Sequence, residues 1–530
     1  MTIDFLRILL YDGYMYVRIS RVKKASGIYE YYQLVESKRV GTTILKKVIC
    51  SFGSTTAPTL PSSFLKLFLA GTPPKLYAFP TAIYQICRND IVLQDIFTEV
   101  FHSSRITTDV FLLSVLMIIH RIIDPDSKLA LTRWYKNILL PVPLPKELDV
   151  STLYYTLDYL VEKKEEIEKR LFTHLKENGM IVSTIVFYDL TSSYFEGEEV
   201  PMASYGYSRD HRPDRVQITL GLVLDKTGLP LYHEVFEGNM TDAKTVKGVL
   251  SKLQDMFQIK EVIFVADKGM LTQDNLKELE EKKYQSILSE SIRHSLSQKT
   301  REELFGQKET FTKLPDMEET LWYKKTQDKD GKTVIVCYNQ YTAQKAKQTR
   351  DAKLKKLKTF IMETKEKHKK AVGKELQKLR DMILAKLVQS HTRKYFDTIG
   401  QSTAADLFPV KQDVIDREEC IDGMWIIRSN TKELTTGQLI TTYKDLKTIE
   451  ASFRTIKDVV ELRPIYHHKD DRVKGHIFIC ILAFLVTKLL EKKTNKSIKM
   501  LREEYTCAVA IPGKKHPLIL GGSDLLQAVL

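Results

Sequence analysis

Hydrophobic and polar residues follow different periods in successive parts of this 530-residue chain. Over residues 13–52, short β-rich runs alternate with Lys/Gly turns, which predicts a small antiparallel sheet. Four prolines between positions 58 and 74 then punctuate a predicted linker. From Ala82 to about Met180 the apolar residues recur at helical spacing, so we expect a helical region after the sheet.

Two predicted buried strands each lead into an aspartate. Thr184 to Tyr188 is β-branched and aromatic and delivers Asp189 at or near the end of its strand, and the strand in EVIFVADKGM ends in Asp267. The sequence between them predicts a hairpin and a helix over 242–257. A lone aspartate after a strand is more often a turn residue or a helix cap. Two of them, on strands that suit adjacent positions in one sheet, indicate carboxylates converging on a divalent metal site.

The pattern changes again between about 290 and 430, after a predicted helix over 272–282 and a strand over 285–288. Strand-like runs occupy 333–339 and 424–429. Between them, residues 345–394 contain 17 Lys/Arg against 5 Asp/Glu and predict an amphipathic helix or helical hairpin with a basic outer face, which either contacts a polyanion or is only solvated. The apolar positions of this segment are Leu354, Leu357, Ile361, Val372, Leu376, Leu379, Ile383 and Leu387.

A late helix is predicted to carry a third acid. Tyr443, Leu446, Glu450, Phe453 and Lys457 share one face if a single helix covers them. A glutamate buried on such a stripe without a partner would be costly, so we expect Glu450 to bind a metal. Glu433 and Glu461 are rivals, but neither shares this face.

Composition narrows the class of protein. The formal net charge of +14 favours a polyanionic partner such as DNA, and the helical region before residue 180 is either a DNA-binding module or a structural subdomain. The six cysteines form no C-x-x-C pair, which argues against a zinc site or a disulfide framework and fits a cytoplasmic protein. The most apolar segment, 477–490, is shorter than the roughly 20 residues that a bilayer requires, so we expect a buried helix and no membrane partner.

Several motifs resemble the DDE transposases of bacterial insertion sequences, the IS4-like group and most closely its IS1634-type branch. They are YDLTSSYFEG (188–197), GYSRDHRPDRVQITLGLVLDKTGLPLYHEVFEGNMTDAKTV (206–246), VIFVADKGMLTQDNL (262–276) and IEASFRTIKDVVELRPIYHHKDDRVKGHIFICILAFL (449–485). YEYYQLVES (29–37) and IIDPDSKLALTRW (122–134) extend the likeness over most of the chain.

The resemblance implies an α/β fold with an RNase H-like catalytic core, a mixed sheet flanked by helices. The implied organisation is a β-rich region (1–75), a helical region (76–180), the core in two parts (181–289 and 431–495) around an inserted domain (290–430), and a C-terminal tail (496–530). The family signature Y-x2-R-x3-E-x6-K falls on Tyr443, Leu446, Glu450 and Lys457. Leu446 departs from it, and Arg454 is the candidate substitute for the missing arginine.

The function that the resemblance implies is DNA cleavage and strand transfer at insertion-sequence ends. Asp189, Asp267 and Glu450 would hold two Mg²⁺ or Mn²⁺ ions, and the active form would be a homodimer on terminal inverted repeats and target DNA, in a nucleoid-associated enzyme. The expected DNA contacts are Tyr443, Lys457, Arg454, His211 and Arg212. Trp322 and Trp425 are the two candidates for a residue that stabilises a flipped DNA base. The alternative is that both side chains only pack in the hydrophobic core. The alternative functions are a nuclease that does not join strands and a non-catalytic DNA-binding protein derived from a transposase.

Overall fold

The structure is a computed structural model of the chain. It describes residues 4–10, 13–24, 27–40, 43–54, 57–58, 75–181, 185–197, 199–257, 263–266, 273–290, 292, 298–306, 310–315, 321–328, 331–398, 403–505, 509–511, 518–520 and 523–529. For the strands before residue 59 only the backbone is described.

The N-terminal residues form a five-stranded antiparallel sheet in sequential order. Its strands are β1 (Asp4–Leu10), β2 (Gly13–Lys24), β3 (Gly27–Val40), β4 (Thr43–Ser54) and β5 (Ala57–Pro58). This confirms the antiparallel sheet predicted over 13–52. Most of the predicted proline-rich linker, residues 59–74, lies outside the described residues.

The predicted helical region begins after a short strand, β6 (Lys75–Leu76). Its helices are α1 (Ala78–Gln85), α2 (Leu93–Phe101), α3 (Val110–Ile123), α4 (Lys128–Trp134), α5 (Val150–Glu162) and α6 (Lys164–Glu177). Nearly every residue of α3 is buried. Because these helices contribute to the same hydrophobic core as the central sheet, the region has a structural role whatever else it binds.

The central sheet begins with three antiparallel strands, β7 (Ile185–Tyr194), β8 (Gln217–Asp225) and β9 (Pro230–Glu237). After α7 (Asp242–Asp255), β10 (Ile263–Ala266) pairs with β7 in parallel, and after α8 (Gln273–Glu281), β11 (Gln285–Glu290) pairs in parallel with β10. The spatial order β9-β8-β7-β10-β11 with this mixture of directions is that of an RNase H-like core. The prediction that the two aspartate-bearing strands are neighbours is confirmed.

The residues between the two parts of the core extend the same sheet. They form α9 (Gln298–Gly306), β12 (Thr312–Lys313), β13 (Leu321–Gln327), β14 (Thr333–Asn339), α10 (Gln340–Lys367), α11 (Gly373–Gln389), α12 (Gln412–Ile421) and β15 (Met424–Ser429). β15 pairs with both β11 and β14, so four inserted strands lengthen the sheet to nine. The domain boundaries given above remain our proposal.

The lysine-rich segment is a helical hairpin, one of the two forms predicted for it. Leu354, Leu357 and Ile361 of α10 meet Leu379, Ile383 and Leu387 of α11 in a separate small core. Val372 was expected in this core but is 76% exposed, because it precedes α11 as its N-cap. The hairpin therefore keeps its lysines outside.

The chain ends in α13 (Thr436–Lys444), α14 (Leu446–Asp458), α15 (Asp470–Thr494), α16 (Ile498–Tyr505), β16 (Val509–Ile511), β17 (Leu518–Leu520) and α17 (Ser523–Val529). Helix α15 packs against α3, α5 and β9. Among the helices that the structure describes, only α15 is long and apolar enough to cross a membrane, and 89% of its apolar window is buried inside the protein. The predicted buried helix is confirmed, although it is longer than the 477–490 segment.

Candidate active site

Asp189 lies in the middle of a strand, not at or near its end as predicted. β7 continues to Tyr194 because its second half keeps pairing with β8, where Asp189 is opposite Leu222. On the other side, β7 pairs in parallel with β10, and among the described residues this pairing includes Phe187 opposite Val265. Asp189, two residues beyond Phe187, is half-buried, and Leu190 N donates to its Oδ1 at 2.7 Å.

Asp267 lies outside the described residues. The strand that leads to it, β10, ends at Ala266, and all four of its residues are buried. The predicted buried strand is therefore present directly before this acid.

The predicted late helix is two helices. α13 starts at a capping box made by Thr435 and Gln438 and ends at Lys444, and α14 starts after Asp445. The Asp445 N–H bonds the carbonyls of Thr441 and Thr442, which closes α13 one residue before α14 begins. The expectation that one continuous helix carries Tyr443, Glu450 and Lys457 is therefore wrong, because the break at Asp445 separates Tyr443 from the other two.

Glu450 is exposed, which corrects the premise that it is buried on an apolar stripe. The buried face of α14 is formed by Ile449, Ser452, Phe453 and Ile456, and this face packs against β7. Glu450 directly follows the buried Ile449, so its carboxylate lies on the solvent-facing side of the contact between α14 and β7. Arg454, one turn further along, is also exposed, whereas Leu446 is half-buried against the main core.

Lys457, at the end of α14, is bound by an acid that the sequence did not reveal. Its Nζ lies 2.7 Å from Asp210 Oδ1, and Arg463 lies 2.8 Å from the same oxygen. The Asp210 side chain is only 5% exposed, and its Oδ2 is buried with no hydrogen-bond donor among the described residues. Burial lowers the pKa of Lys457, and the hydrogen bond and charge of Asp210 oppose that shift.

His211 and Arg212 follow Asp210 in an exposed turn. His211 is exposed and has a left-handed backbone, with φ of 57°. Arg212 forms a two-point ion pair with Asp214, at 2.9 Å for each contact, and this pair lowers the pKa of Asp214 to about 2. The Arg212 guanidinium also lies 5.0 Å from the centre of the Tyr194 ring, and that of Arg463 lies 5.4 Å from it.

The rival glutamates lie in other surroundings. Glu433 accepts a hydrogen bond from Gln285 of β11. Gln285 and Ile185 of β7 both pair with Ile263 of β10, so they lie at the same level of the sheet. Four residues of strand, about 13 Å, separate that level from Asp189. Glu461 is exposed in the loop after α14, with a left-handed backbone. The geometry thus favours Glu450, whose helix packs on β7.

Both candidate tryptophans lie in strands of the inserted part. Trp322 of β13 is half-buried against a small core that includes Val336 and Ile426, and Trp425 of β15 is half-buried against the main core. Each indole thus packs against a hydrophobic core on one side.

Sequence reasoning missed Asp210, Arg463 and Tyr194. Asp210 sits in the DHRPD segment, but only its neighbours His211 and Arg212 were singled out. The sequence does place Asp210 between two arginines, Arg209 and Arg212. An acid in that position commonly forms ion pairs with nearby cations, and this pattern could have marked Asp210 as a site residue.

A family model described as a transposase DDE domain matches residues 182–486, which is more than half of the chain. The chain therefore belongs to the DDE transposases, which are DNA-cleaving enzymes that generally use divalent metal ions. A second model, the N-terminal domain of IS1634 family transposases, matches residues 17–69. The protein is a DDE transposase of the IS1634 type.

Solved structures of transposases are also similar to this chain. A synaptic complex of piggyBac transposase with hairpin DNA is 9% identical, with 81% of this chain and 79% of that chain covered and a TM-score of 0.38. A paired-end complex of Mos1 transposase with the left transposon end is 15% identical, with 34% and 59% covered and a TM-score of 0.15. No curated protein matches the chain.

Proposed function

We propose that this transposase cuts DNA at the ends of its insertion sequence and joins the cut end to target DNA, using Asp189, Asp267 and Glu450 as its three catalytic carboxylates. The observation that carries the proposal is the packing of α14, which bears Glu450, against β7, which bears Asp189.

The register of the two parallel strands supports the pairing of the aspartates. Val265 of β10 lies opposite Phe187 of β7. Asp189 is the second residue after Phe187, and Asp267 is the second residue after Val265. Because residues of parallel strands advance in step, this spacing favours two carboxylates at one level of the sheet.

The direction of α14 supports the inclusion of Glu450. A Cβ on Gly228, in the turn after β8, would lie 3.0 Å from Thr448, and Asp225 at that end of β8 pairs with Val186. At the other end of α14, Lys457 shares Asp210 with Arg463, whose guanidinium lies over Tyr194. The first turn of α14 therefore lies toward the Val186 end of β7, and its last turn lies toward the Tyr194 end.

Divalent metal ions fit this set of donors. Carboxylate oxygens are the ligands that Mg²⁺ and Mn²⁺ prefer. Among the described residues no three acidic, histidine or cysteine side chains form a metal-binding group, and the proposed set includes Asp267 from outside them. When bound, two such ions would activate a water or DNA 3′-hydroxyl and stabilise the leaving oxygen. Asp189, Asp267 and Glu450 would together hold these ions.

Basic side chains near the site would hold the DNA. Lys457 is anchored by Asp210, and Arg454 and His211 are exposed and able to meet phosphates. Tyr443 and Arg212 complete the proposed DNA contacts. Further away, the exposed lysines of α10 and of the turn between α10 and α11 would add phosphate contacts that do not depend on the DNA sequence. We also propose a homodimer on paired DNA ends and association with the nucleoid.

A cleavage and strand-transfer assay on DNA carrying the flanking ends of the coding sequence tests the proposal. Cut and joined products should form in Mg²⁺ or Mn²⁺, and neither should form in EDTA or Ca²⁺. Asp189→Asn should abolish both products and leave end binding within a few fold, whereas Asp95→Asn, at an exposed position of α2, should be active. Full activity in EDTA would refute the mechanism, and cutting without joining would identify a nuclease.

A further inference from the structure

Two segments beside the proposed site are tied together at two points. At one, Met202 N donates to Asp470 Oδ1 at 3.1 Å. At the other, Asp210 binds Arg463 and Lys457. The two segments between these ties, residues 203–209 and residues 464–469, are therefore joined at both ends.

Between the ties, three tyrosines are directed into solvent. Tyr205 is 56% exposed, Tyr207 81% and Tyr466 57%. Aromatic side chains are large and usually bury most of their surface. Three exposed rings on two adjoining segments therefore indicate an interaction surface rather than chance exposure.

The backbone that carries two of these rings is fixed. A Cβ on Gly206 would lie 2.0 Å from the carbonyl oxygen of Gly238, so only glycine allows this close approach. The buried Gln217 side chain donates to Tyr207 O at 3.0 Å and to Gly238 O at 3.1 Å. Tyr205 and Tyr207 are thus presented on a held segment, which lowers the entropy lost when a partner binds.

Two arginines lie next to these rings, and each forms an ion pair: Arg209 with Asp242 at 2.6 Å and Arg463 with Asp210 at 2.8 Å. The Arg209 guanidinium lies 5.7 Å from the centre of the Tyr207 ring, and its backbone N–H donates to Ser192 Oγ at 2.8 Å. Arg463 precedes Tyr466 by three residues and is held by Asp210. Arginines beside exposed aromatic rings are the combination that binds single-stranded nucleic acid, because bases stack on the rings and phosphates pair with the cations.

We propose that Tyr205, Tyr207 and Tyr466, with Arg209 and Arg463, form a surface that binds unpaired DNA next to the active site. In duplex DNA each base face is covered by its neighbours, so stacking on these rings selects unpaired nucleotides. The surface would hold a strand that is separated from its complement during end processing. This role rests on the proposed function, but binding to the surface requires neither metal nor cleavage.

The test is fluorescence anisotropy in EDTA with a labelled 20-nucleotide oligothymidylate and with a duplex of equal length. Tyr207→Ala and Tyr466→Ala should each weaken single-strand binding about five- to 150-fold and change duplex binding less than twofold. Tyr207→Phe, which keeps the ring, should bind like the unmodified protein. Tyr155→Ala removes a similarly exposed ring on α5 and is the matched control.

Unchanged single-strand binding in the alanine variants would overturn the proposal, and so would equal losses for single strand and duplex. Thermal melts would show whether the variants are folded, and Tyr207→Phe tests the ring without removing it. If the unmodified protein fails to cleave in Mg²⁺ while the tyrosine variants lose single-strand binding, the proposed function fails and this surface stands. If cleavage depends on Asp189 while the tyrosine substitutions leave single-strand binding unchanged, the proposed function stands and this surface fails.

Discussion

Asp210 Oδ1 lies 2.7 Å from Lys457 Nζ, although 247 positions separate the two residues in the chain. The same oxygen also binds Arg463. One buried carboxylate therefore joins the end of α14 to the segment between β7 and β8. It also holds Lys457, one of the proposed DNA contacts, close to Arg463.

We predict that Asp210→Asn lowers the free energy of unfolding by about 1–3 kcal/mol, because two cations lose the charge of their shared partner in a partly buried place. Urea denaturation at pH 7 measures this change. Asp214→Asn is the matched control, since its ion pair with Arg212 is at the surface and its loss should cost far less. Equal effects of the two substitutions would contradict a special role for Asp210.

A second prediction concerns acid stability. Burial, followed by the charges of neighbouring cations, lowers the pKa of His467 to about 3 and that of His120 to about 2, and burial also lowers the pKa of His476 well below 6.5. Unfolding at pH 4–6 therefore takes up protons on these histidines. Stability should fall as pH drops below about 6.5, by about 1.4 kcal/mol per pH unit for each histidine.

Urea midpoints measured at several pH values check this slope. His467→Gln should remove about one histidine's share of it, whatever the substitution does to stability at neutral pH. His468→Gln, at the exposed neighbouring position, should leave the slope unchanged. An identical slope in the unmodified protein and His467→Gln would mean that His467 is not held neutral by the fold.

The third prediction concerns the lysine-rich hairpin. Five of its exposed lysines should bind phosphates, so replacing them with Gln should reduce the slope of log affinity against log salt by about 0.9 for each phosphate that is no longer neutralised. The five are Lys355, Lys356, Lys358, Lys369 and Lys370. The control replaces five exposed lysines elsewhere, namely Lys146, Lys169, Lys176, Lys277 and Lys299. A slope that changes only in the control would place DNA binding away from the hairpin.

Local pattern was sufficient for much of the fold. The apolar runs 333–339 and 424–429 became β14 and β15 with the same boundaries, because a short run of β-branched and apolar residues has few other ways to be buried. Sequence could not show that these strands extend the central sheet. That pairing depends on contacts such as Ile287 with Ser429, far apart in the chain.

The candidate site was predictable only in part for the same reason. The position of Asp189 on β7 could be predicted from a local pattern and the family motif. The helix break at Asp445 could not be predicted, because α13 and α14 each show helical periodicity on their own. Asp210 was invisible as a site residue, since its partners Lys457 and Arg463 are supplied by tertiary packing. Glu450 was predicted to be buried because the prediction placed it with Tyr443, Leu446 and Phe453 on one face of a single continuous helix.

The most direct test of the three-carboxylate site compares Glu450→Gln with Glu461→Gln in the Mg²⁺-dependent cleavage assay. Both glutamates are exposed, and each substitution keeps size and hydrogen bonding while removing the charge. We predict that Glu450→Gln lowers the single-turnover cleavage rate by at least about 10³-fold with an unchanged melting temperature, comparable to the loss of a catalytic group, and that Glu461→Gln stays within a few fold of the unmodified enzyme. Cleavage that survives Glu450→Gln and disappears in Glu461→Gln would contradict the assignment of α14 to the active site.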